Sequence, residues 1–384
     1  MTTTPCPACA ATDIRVFHEQ TNIPVNSCLL LDDRDAAQSF PRGDLVLGLC
    51  LGCGFIFNTR FDVAMSEYSA RYEETQGFSP RFRQFSQSLA KTWVERHALQ
   101  GKTVLEIGCG KGEFLVDMVD AGAGSGIGID PSFRVDRMDA AASERITWIA
   151  DFYSERYASL TADAIVCRHT LEHIAPVREF VDVVRAAIGD RRTTVLFELP
   201  DVACVLEDVR FWDIYYEHCS YFSLGSLARL FHRTGFDVTH LDVTYGDQYL
   251  LLDGVAGDGG GLDVDDLGRL TAAVDHFEAE YPKRIAALRD ELSSGDRKTV
   301  IWGAGSKGVS YLTTLAADRA IEFAVDINPF KHGMYMAGTG QRIVAPDFLA
   351  DYRPDLVVAM NDIYLEEIRA ELERVGVDAD LVAA

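Results

Sequence analysis

The chain contains 384 residues, of which 48% are hydrophobic and 25% are charged, a composition typical of a globular protein with two or three domains. Its formal net charge of −23 at pH 7 disfavours binding to nucleic acid or to an anionic membrane surface. The N-terminal sequence MTTTPCPACA lacks the basic and apolar regions of a secretion signal, and the longest mostly apolar run, residues 45–57, is too short to cross a bilayer. We therefore expect a cytoplasmic protein.

Four cysteines near the N-terminus form two pairs with C-x-x-C spacing, Cys6 with Cys9 and Cys50 with Cys53. Each pair can place two thiolates on one side of a tight turn, and two such turns complete a tetrahedron around zinc. Because four thiolates leave no open position, the predicted zinc is structural. A redox pair or four free thiols are the alternatives, and the repetition of the motif disfavours a redox pair. We predict a zinc-binding domain at residues 1–65.

Residues 66–258 contain strands that alternate with helical stretches, which predicts a parallel, doubly wound α/β sheet with ligands at the carboxyl ends of its strands. The sequence KTVLEIGCGKGEFL at residues 102–115 predicts a buried strand, a glycine-rich turn and the start of a helix. Its glycines let a ligand approach the backbone closely, and the preceding acid, Glu106, suits a cationic amino-acid ligand better than a pyrophosphate. The glycines are Gly108, Gly110 and Gly112.

Acidic residues follow the next two predicted strands. The strand at residues 124–130 ends in Asp130, about 20 residues past the glycine loop, where a carboxylate can accept hydrogen bonds from ribose hydroxyls. The strand at residues 145–150 leads to Asp151 and Phe152, a carboxylate and a ring that can grip adenine. Two further strands complete the predicted sheet.

This ordered set of motifs resembles the class I S-adenosylmethionine-dependent methyltransferases, although any one glycine alone can simply serve a tight turn. The resemblance implies S-adenosylmethionine as the cofactor. It implies that Glu106, Gly108 and Gly110 surround the methionine end of that cofactor. It further implies that Asp130 binds the ribose and Asp151 the adenine.

Two histidines, His169 and His173, follow the fourth predicted strand. Their order, H-T-L-E-H, differs from the H-E-x-x-H of zinc proteases. His169 lies just past the strand end and is a candidate catalytic or substrate-facing residue, whereas His173 is predicted to pack within a helix. Before the first sheet strand, a polar and aromatic stretch at residues 68–76 is expected to be either a lid over the cofactor or a surface linker. Its Tyr72 is a further candidate catalytic residue.

A glycine-rich break, AGDGGGL, occupies residues 256–262, and the apolar residues beyond it recur at spacings of three and four. This periodicity predicts a long amphipathic linker helix within residues 259–296, kinked at Pro282. We expect the helix to pack between domains. Since a coiled coil is the alternative, we expect either a monomer or a homodimer.

The last segment, residues 297–384, contains the pattern G-x-G-x-x-G at residues 303–308, between a strand and a helix. Alone, the pattern matches the dinucleotide-binding fingerprint, but the remaining length, about 85 residues, is enough for only half a Rossmann unit. We predict a Rossmann-like α/β domain in which Ser306 and Lys307 hold a nucleotide phosphate through amides and an ammonium group. The alternative is a structural prop without a ligand.

The order of these three parts resembles the C-methyltransferases of deoxysugar biosynthesis, which include the tetronitrose 3-C-methyltransferase. The resemblance covers essentially the whole chain. Its marks beyond the cysteines and the first glycine loop are the sequences IYYEHCSYFS, GAGSKG and VDINPFKHGMYMAGT. It implies that Tyr215, Glu217 and His218 belong to the active site, with the histidine as base. It also implies that nucleoside-diphosphate 4-keto sugars are the acceptors.

Two stretches depart from that family. YGDQYLLLDG at residues 245–254 stands where the sugar enzymes have a His-Gly-Gly type stretch, and CRHTLEHI also differs. We expect both stretches to line the acceptor pocket. The resemblance therefore predicts the architecture better than it predicts the sugar.

Methyl transfer to carbon accounts for the mixture of aromatic rings and a Glu-His pair in FWDIYYEHCSYFS, residues 211–223. A carbon next to a ketone becomes nucleophilic only after it loses a proton, and a neutral histidine is a suitable base near pH 7. We expect His218 to take that proton and Tyr215 to donate to the enolate oxygen. Glu217 is expected to orient the histidine or polarise a nearby group, while the rings exclude water.

Three other functions are compatible with the sequence. An O- or N-methyltransferase of a small-molecule scaffold needs no enolate and would leave the acceptor C–H unexchanged. An assembly or regulatory module would bind S-adenosylmethionine without a methyl acceptor. A dehydrogenase that uses GAGSKG would bind NAD(H).

Overall fold

The computed structural model describes residues 4–65, 72–134, 144–294, 297–317 and 320–384. Within these residues it forms a four-stranded, a seven-stranded and a five-stranded sheet. Among the helices of the described ranges, none combines the length and the apolar character that a membrane crossing needs. Part of the predicted lid or linker stretch, residues 68–71, lies outside the described residues.

The N-terminal sheet is antiparallel and takes one strand from the middle of the chain. Its strands are β1 (Ile14–Pro24), β2 (Arg42–Cys50), β3 (Ile56–Asn58) and β9 (Ser220–Tyr221). A short helix, α1 (Arg34–Gln38), lies between β1 and β2. Because β9 belongs to the aromatic stretch at residues 211–223, this pairing fixes that stretch against the N-terminal segment.

The central sheet has seven strands in the order β10-β11-β8-β7-β4-β5-β6. In chain order they are β4 (Thr103–Ile107), β5 (Ser125–Ile129), β6 (Ile146–Ile149), β7 (Ala164–Arg168), β8 (Thr194–Pro200), β10 (Phe236–Thr244) and β11 (Tyr249–Ala256). Strands β4 to β8 pair in parallel, whereas β11 is antiparallel to both β8 and β10. The predicted doubly wound α/β sheet of the class I methyltransferase type is confirmed.

The helices of this part of the chain are α2 (Pro80–Arg96), α3 (Glu113–Asp120), α4 (Val177–Ile188), α5 (Val202–Glu207) and α6 (Leu224–Arg233). Four of them, α2, α3, α4 and α6, cover the two faces of the central sheet, whereas α5 packs against the N-terminal sheet. Apolar side chains of α2 and α3 form one core with Val104, and those of α4 and α6 form another with Leu105. Since successive residues of a strand point to opposite faces, β4 contributes to both cores.

One long helix, α7 (Leu267–Ser294), packs against both the N-terminal and the C-terminal parts of the fold and contains Pro282. Its Val274 and Phe277 are buried with residues of the N-terminal sheet, while Ile285 is buried in the core under the C-terminal sheet. The helix thus contacts both the N-terminal sheet and the core under the C-terminal sheet.

The C-terminal sheet has five parallel strands in the order β14-β13-β12-β15-β16. The strands are β12 (Thr299–Trp302), β13 (Ile321–Val325), β14 (Arg342–Val344), β15 (Leu356–Ala359) and β16 (Asp380–Ala383), and the helices are α8 (Ser306–Leu315), α9 (Leu349–Tyr352) and α10 (Leu365–Val375). The expectation of only half a Rossmann unit was wrong. The two outer strands are short and β16 is largely exposed, so neither has a hydrophobic pattern that sequence reasoning detects.

The carboxyl ends of the central and C-terminal sheets face one shared cavity of about 1400 Å³. Asp130 after β5 and His169 after β7 line it from one side, and Gly303 after β12 lines it from the other. A single small-molecule site usually occupies roughly 300–1,000 Å³. The cavity is therefore larger than a site for one small molecule usually is.

Candidate active site

The glycine loop after β4 forms one wall of the cavity. Gly108 and Gly110 have φ angles of 71° and 53°, which favour glycine, and both line the cavity. A Cβ atom on Gly110 would lie 2.8 Å from Oε1 of Glu74. Gly112 is not among the lining residues, and a Cβ there would lie 2.4 Å from the ring of Trp148. The predicted contact of Gly112 with the cofactor is therefore replaced by packing of the loop against that ring.

Glu106 carries a buried carboxylate that faces the cavity. The residue is 2% exposed, and its Oε2 atom has no hydrogen-bond partner within the described part of the chain. Burial raises the pKa of Glu106 to about 8. A cationic group placed here would satisfy the unpaired oxygen and favour the ionised carboxylate. The site thus fits the ammonium group of S-adenosylmethionine, as the sequence predicts.

Asp130 and Asp151 differ in their access to the cavity. Asp130 lines it, and its carboxylate is held by the amide of Gly110 at 2.8 Å and by the amide of Ser132 at 2.6 Å. Asp151 is not among the lining residues, because Arg156 and Tyr157 bind its carboxylate.

The residue after Asp151 reaches the cavity in its place. Phe152 lines the cavity and is 59% exposed, so its ring is open to a ligand. Of the pair predicted to grip adenine, the ring is available at the cavity wall and the carboxylate is not.

Tyr215 and His218 lie side by side at the cavity wall. The Tyr215 hydroxyl lies 2.9 Å from Nε2 of His218. Burial, together with the neighbouring His173, holds the pKa of His218 well below its ordinary value, so the ring is neutral at pH 7. Burial also raises the pKa of Tyr215, so its hydroxyl keeps the proton.

Glu217 does not orient His218, contrary to one of its predicted roles. Its carboxylate, which is fully buried, accepts hydrogen bonds from the backbone amide of Ser27 and from the hydroxyl of Tyr72, the latter at 2.5 Å. The reason is a turn in which the amide of His218 donates to the carbonyl of Tyr215. The turn brings residues 215 and 218 together and directs the side chain between them elsewhere. Tyr72 lines the cavity, whereas Glu217 does not.

His169 lines the cavity as predicted, but its charge does not suit a base. Burial alone would lower its pKa, yet the carboxylates of Glu198 and Glu172 outweigh that effect and raise the pKa to about 9. The nearer carboxylate, that of Glu198, lies 3.1 Å from Nε2. His169 is therefore protonated at neutral pH and is a poor candidate for proton abstraction.

His173 is not a packing residue of a helix, because Leu171–His173 forms only a single 3-10 turn. Its ring lines the cavity, and the ring centroid lies 4.8 Å from that of His218. The Nδ1 atom bonds to the carbonyl oxygen of Glu217 at 3.1 Å. Together with Glu172, these histidines form a cluster whose nitrogen and carboxylate atoms lie within 4.8 Å of one another, with His173 half-buried and the other two buried. The spacing of four residues between His169 and His173 suggested a helix, so the sequence did not indicate that His173 lines the cavity beside His218.

The four cysteines of the N-terminal segment converge outside this cavity. Sγ of Cys6 lies 3.7 Å from that of Cys53, Sγ of Cys9 lies 3.6 Å from that of Cys50, and all four sulfurs lie within 4.8 Å of one another. A zinc–sulfur bond of about 2.3 Å in a tetrahedron gives sulfur–sulfur distances of roughly 3.8 Å. The arrangement is compatible with zinc.

The first turn of α8 brings Ser306 and Lys307 to the cavity. The Lys307 ammonium forms an ion pair with Asp213 at 2.8 Å and contacts Oε1 of Gln248 at 3.4 Å. Asp213 and Gln248 were not singled out in the sequence, and only the fold brings them to this lysine.

Asp326 directly follows β13, about 20 residues after the GAGSKG loop, where the dinucleotide fingerprint places an acid, and it lines the cavity. Its carboxylate accepts from the amide of Ala304 at 3.0 Å and pairs with Lys331 at 3.1 Å. The loop amide that holds Asp326 corresponds to the Gly110 amide that holds Asp130 at the first glycine loop.

Two family models match the chain, one described as "Methyltransferase domain" over residues 79–241 and one as "C-methyltransferase C-terminal domain" over residues 267–380. The chain is similar to C-methyltransferase NovU of Streptomyces niveus, with 26% identity over 363 residues, which cover 88% of this chain and 85% of NovU.

Among solved structures, slightly less than half of the chain is similar to each of two methyltransferases. The Burkholderia thailandensis 1,6-didemethyltoxoflavin-N1-methyltransferase matches at 15% identity and a TM-score of 0.36, covering 47% of this chain and 83% of its own. The magnesium protoporphyrin IX methyltransferase of Synechocystis matches at 17% identity and a TM-score of 0.36, covering 46% of this chain and 84% of its own.

Proposed function

The chain belongs to the S-adenosylmethionine-dependent C-methyltransferases, and from that premise we propose that it methylates the carbon next to the ketone of a nucleoside-diphosphate 4-keto deoxysugar. The observation that carries the proposal is the 2.9 Å contact between the Tyr215 hydroxyl and Nε2 of a buried, neutral His218. A hydroxyl and a neutral imidazole, side by side at a cavity wall, are the two groups that enolate formation requires.

Residues around the glycine loop would hold S-adenosylmethionine at the other side of the cavity. Glu106 would bind its ammonium group, the backbone at Gly108 and Gly110 would follow its methionine part, and Asp130 would bind its ribose. The ring of Phe152 would cover the adenine. When bound, the cofactor supplies an electrophilic methyl group on a sulfonium.

His218 acts as the base in the proposed mechanism. Its neutral ring takes the proton from the acceptor carbon, and the hydroxyl of Tyr215 shifts its hydrogen bond from Nε2 to the ketone oxygen as negative charge develops there. The shift frees the Nε2 lone pair for the proton. The imidazolium that forms lies beside Glu172, which is 2% exposed and whose Oε2 has no hydrogen-bond partner among the described residues. That carboxylate compensates the new charge.

Tyr72 and Glu217 act together rather than with His218. The buried carboxylate of Glu217 fixes the Tyr72 hydroxyl at the cavity wall. Tyr72 thereby contributes to the acceptor site, and Glu217 is a positioning residue. Buried rings around both keep water from the enolate.

The phosphates of the acceptor would lie at the first turn of α8. Gly305, Ser306 and Lys307 line the cavity there, where helix amides and an ammonium group favour an anion. The carboxylate of Asp213, which pairs with Lys307, would compete with a phosphate for the same charge.

We also propose that the four converging cysteines hold a structural zinc ion. Four thiolates at tetrahedral spacing leave no position for substrate. The ion would join the turn before β1 to the turn after β2, which meet at one end of the N-terminal sheet, and would take no part in methyl transfer.

The atom that carries the new methyl group in the product tests the proposed function. Purified protein is incubated with S-adenosylmethionine carrying a carbon-13 methyl group and with thymidine-diphosphate 4-keto-6-deoxyglucose whose sugar carbons are also carbon-13, and the product is examined by carbon NMR. We expect one-bond coupling between the new methyl carbon and a ring carbon. Transfer to an oxygen or nitrogen would instead favour the O- or N-methyltransferase alternative. A His218→Asn variant is the inactive control.

A further inference from the structure

A buried lysine occupies the glycine loop itself. Lys111, between Gly110 and Gly112, is 5% exposed and lines the cavity. Its ammonium group donates to the carbonyl oxygen of Tyr72 at 2.7 Å and to the carbonyl oxygen of Ser132 at 3.2 Å. A buried cation is tolerated only where such acceptors surround it, so these contacts define its position.

The lysine connects the two halves of the cavity. On the cofactor side, it touches Ser132, whose amide and hydroxyl both donate to Asp130. On the acceptor side, it holds the backbone of Tyr72, whose hydroxyl is fixed by Glu217. The Lys111 side chain thus contacts Ser132, which binds Asp130 on the cofactor side, and Tyr72, which lines the cavity on the proposed acceptor side.

Residues 72–79, which we call the strap, follow this contact across the cavity. Glu74 lies against Gly110, and its Oε2 atom is 3.5 Å from the Lys111 ammonium. Ser79, at the far end, donates to Glu367 of α10 at 2.8 Å. The strap therefore joins the glycine loop to the C-terminal part, and Lys111 is the buried charge beneath its first residues.

We propose that Lys111 is a positioning residue that transmits occupancy of the cofactor loop to Tyr72 and the strap. A ligand on the backbone of Gly108 and Gly110 immobilises the residue next in the chain, and that residue fixes the carbonyl of Tyr72. By reciprocity, a strap held in place strengthens binding at the loop. The inference rests on the proposed function for the role of Tyr72, but the coupling itself requires only that the loop bind the cofactor.

Hydrogen–deuterium exchange of the strap amides tests the coupling without an acceptor. The probe is S-adenosylhomocysteine, and its affinity for each variant is measured by calorimetry. We expect it to slow exchange at residues 72–79 by about tenfold or more in the wild type. In Lys111→Met, which keeps the chain length and removes the charge, the slowing should disappear while the ligand still binds. Lys91→Met, on the exposed face of α2, is the matched control.

A second variant and a kinetic measurement complete the test. If Lys111→Met does not fold, Lys111→Gln, which keeps an N–H donor, should show weaker slowing than the wild type. In the methylation assay of the proposed function, Lys111→Met should lower kcat by about 10- to 100-fold and raise the KM for S-adenosylmethionine by no more than about tenfold, the factor that reciprocity allows. Full slowing in either folded variant, or loss of ligand binding in both, overturns the inference. A wild type that binds the ligand but makes no methylated sugar contradicts only the proposed function.

Discussion

The hydroxyl of Tyr72 donates to the carboxylate of Glu217 at 2.5 Å, although 145 residues separate the two in sequence. Tyr72→Phe removes this donor and leaves a buried carboxylate with one hydrogen bond fewer. We expect the free energy of unfolding to fall by roughly 1–3 kcal/mol. The rate of methylation per folded molecule should also fall, by about tenfold, because the Tyr72 hydroxyl lies at the cavity wall beside the proposed acceptor site.

Denaturant unfolding and single-turnover kinetics measure the two effects of Tyr72→Phe. Tyr352→Phe, whose ring packs on Phe348 away from the cavity, is the control for losing a hydroxyl. If Tyr72→Phe methylates at the wild-type rate per folded molecule, the pair is structural and has no part in acceptor positioning.

Glu106 predicts a pH dependence of cofactor binding. Burial raises its pKa to about 8, so the free protein holds this proton at neutral pH. The neutral form contributes stability that is fully present below about pH 4.3, the ordinary pKa of glutamate, and is lost as the pH rises through 8. Binding of an ammonium group requires the ionised form.

The affinity for S-adenosylhomocysteine should therefore increase between pH 6 and 8, by up to about tenfold per unit. Calorimetry in two buffers of different ionisation enthalpy should register proton release. Glu106→Gln should remove both effects, whereas Glu95→Gln, on the surface of α2, should retain them. A pH-independent affinity in the wild type would exclude Glu106 as the ammonium ligand.

Lys307 and Asp213 form an ion pair, and we expect substitution of its two members to change the affinity for thymidine diphosphate in opposite directions. Lys307→Met should weaken binding of thymidine diphosphate by about tenfold, because a charge-assisted contact to phosphate is lost. Asp213→Asn should strengthen it by a few-fold, because the competing carboxylate is gone. Neither should alter the affinity for S-adenosylhomocysteine.

Isothermal titration with both ligands measures these changes, with Lys283→Met on the exposed face of α7 as the control. Unchanged binding of thymidine diphosphate in Lys307→Met would favour the interpretation of the C-terminal part as a prop without a ligand.

The cysteine quartet predicts one zinc ion per chain, removable only by unfolding or strong chelation. Structural zinc contributes on the order of 10–16 kcal/mol in small zinc-binding peptides, so Cys50→Ser should release the metal and unfold the N-terminal sheet. Cys204→Ser, outside the quartet, should keep both the metal and the folded N-terminal sheet. Elemental analysis and exchange of the β1 and β2 amides report both outcomes. A fully folded preparation without metal would contradict the assignment.

Local patterns predicted those parts of the molecule that are set by neighbours in the chain. The glycine loop with Glu106, and the acid at Asp130, could be identified because a strand, a turn and a helix start follow one another within a few residues. The quartet could be identified because its spacing repeats. Each of these depends on short-range geometry, which a sequence displays directly.

Contacts between distant segments could not be predicted in the same way. Glu217 bonds Tyr72 because a turn directs it away from His218, and the turn becomes evident only when β9 pairs with β3. Asp151 does not line the cavity, and its carboxylate pairs instead with Arg156. Lys111 was not singled out in the sequence, since nothing local indicates that the carbonyl of Tyr72 lies within reach of its ammonium group.

Exchange of the acceptor proton next to the ketone with heavy water, in the presence of S-adenosylhomocysteine, tests the central claim most directly. His218→Asn should lose exchange and methylation together, by roughly 10²–10⁴ in rate for a missing general base. His169→Asn should keep exchange, because that ring is already protonated beside Glu198. Tyr215→Phe should reduce both reactions less than His218→Asn does. With circular dichroism confirming that each variant is folded, exchange that persists in His218→Asn and disappears in His169→Asn would contradict the account.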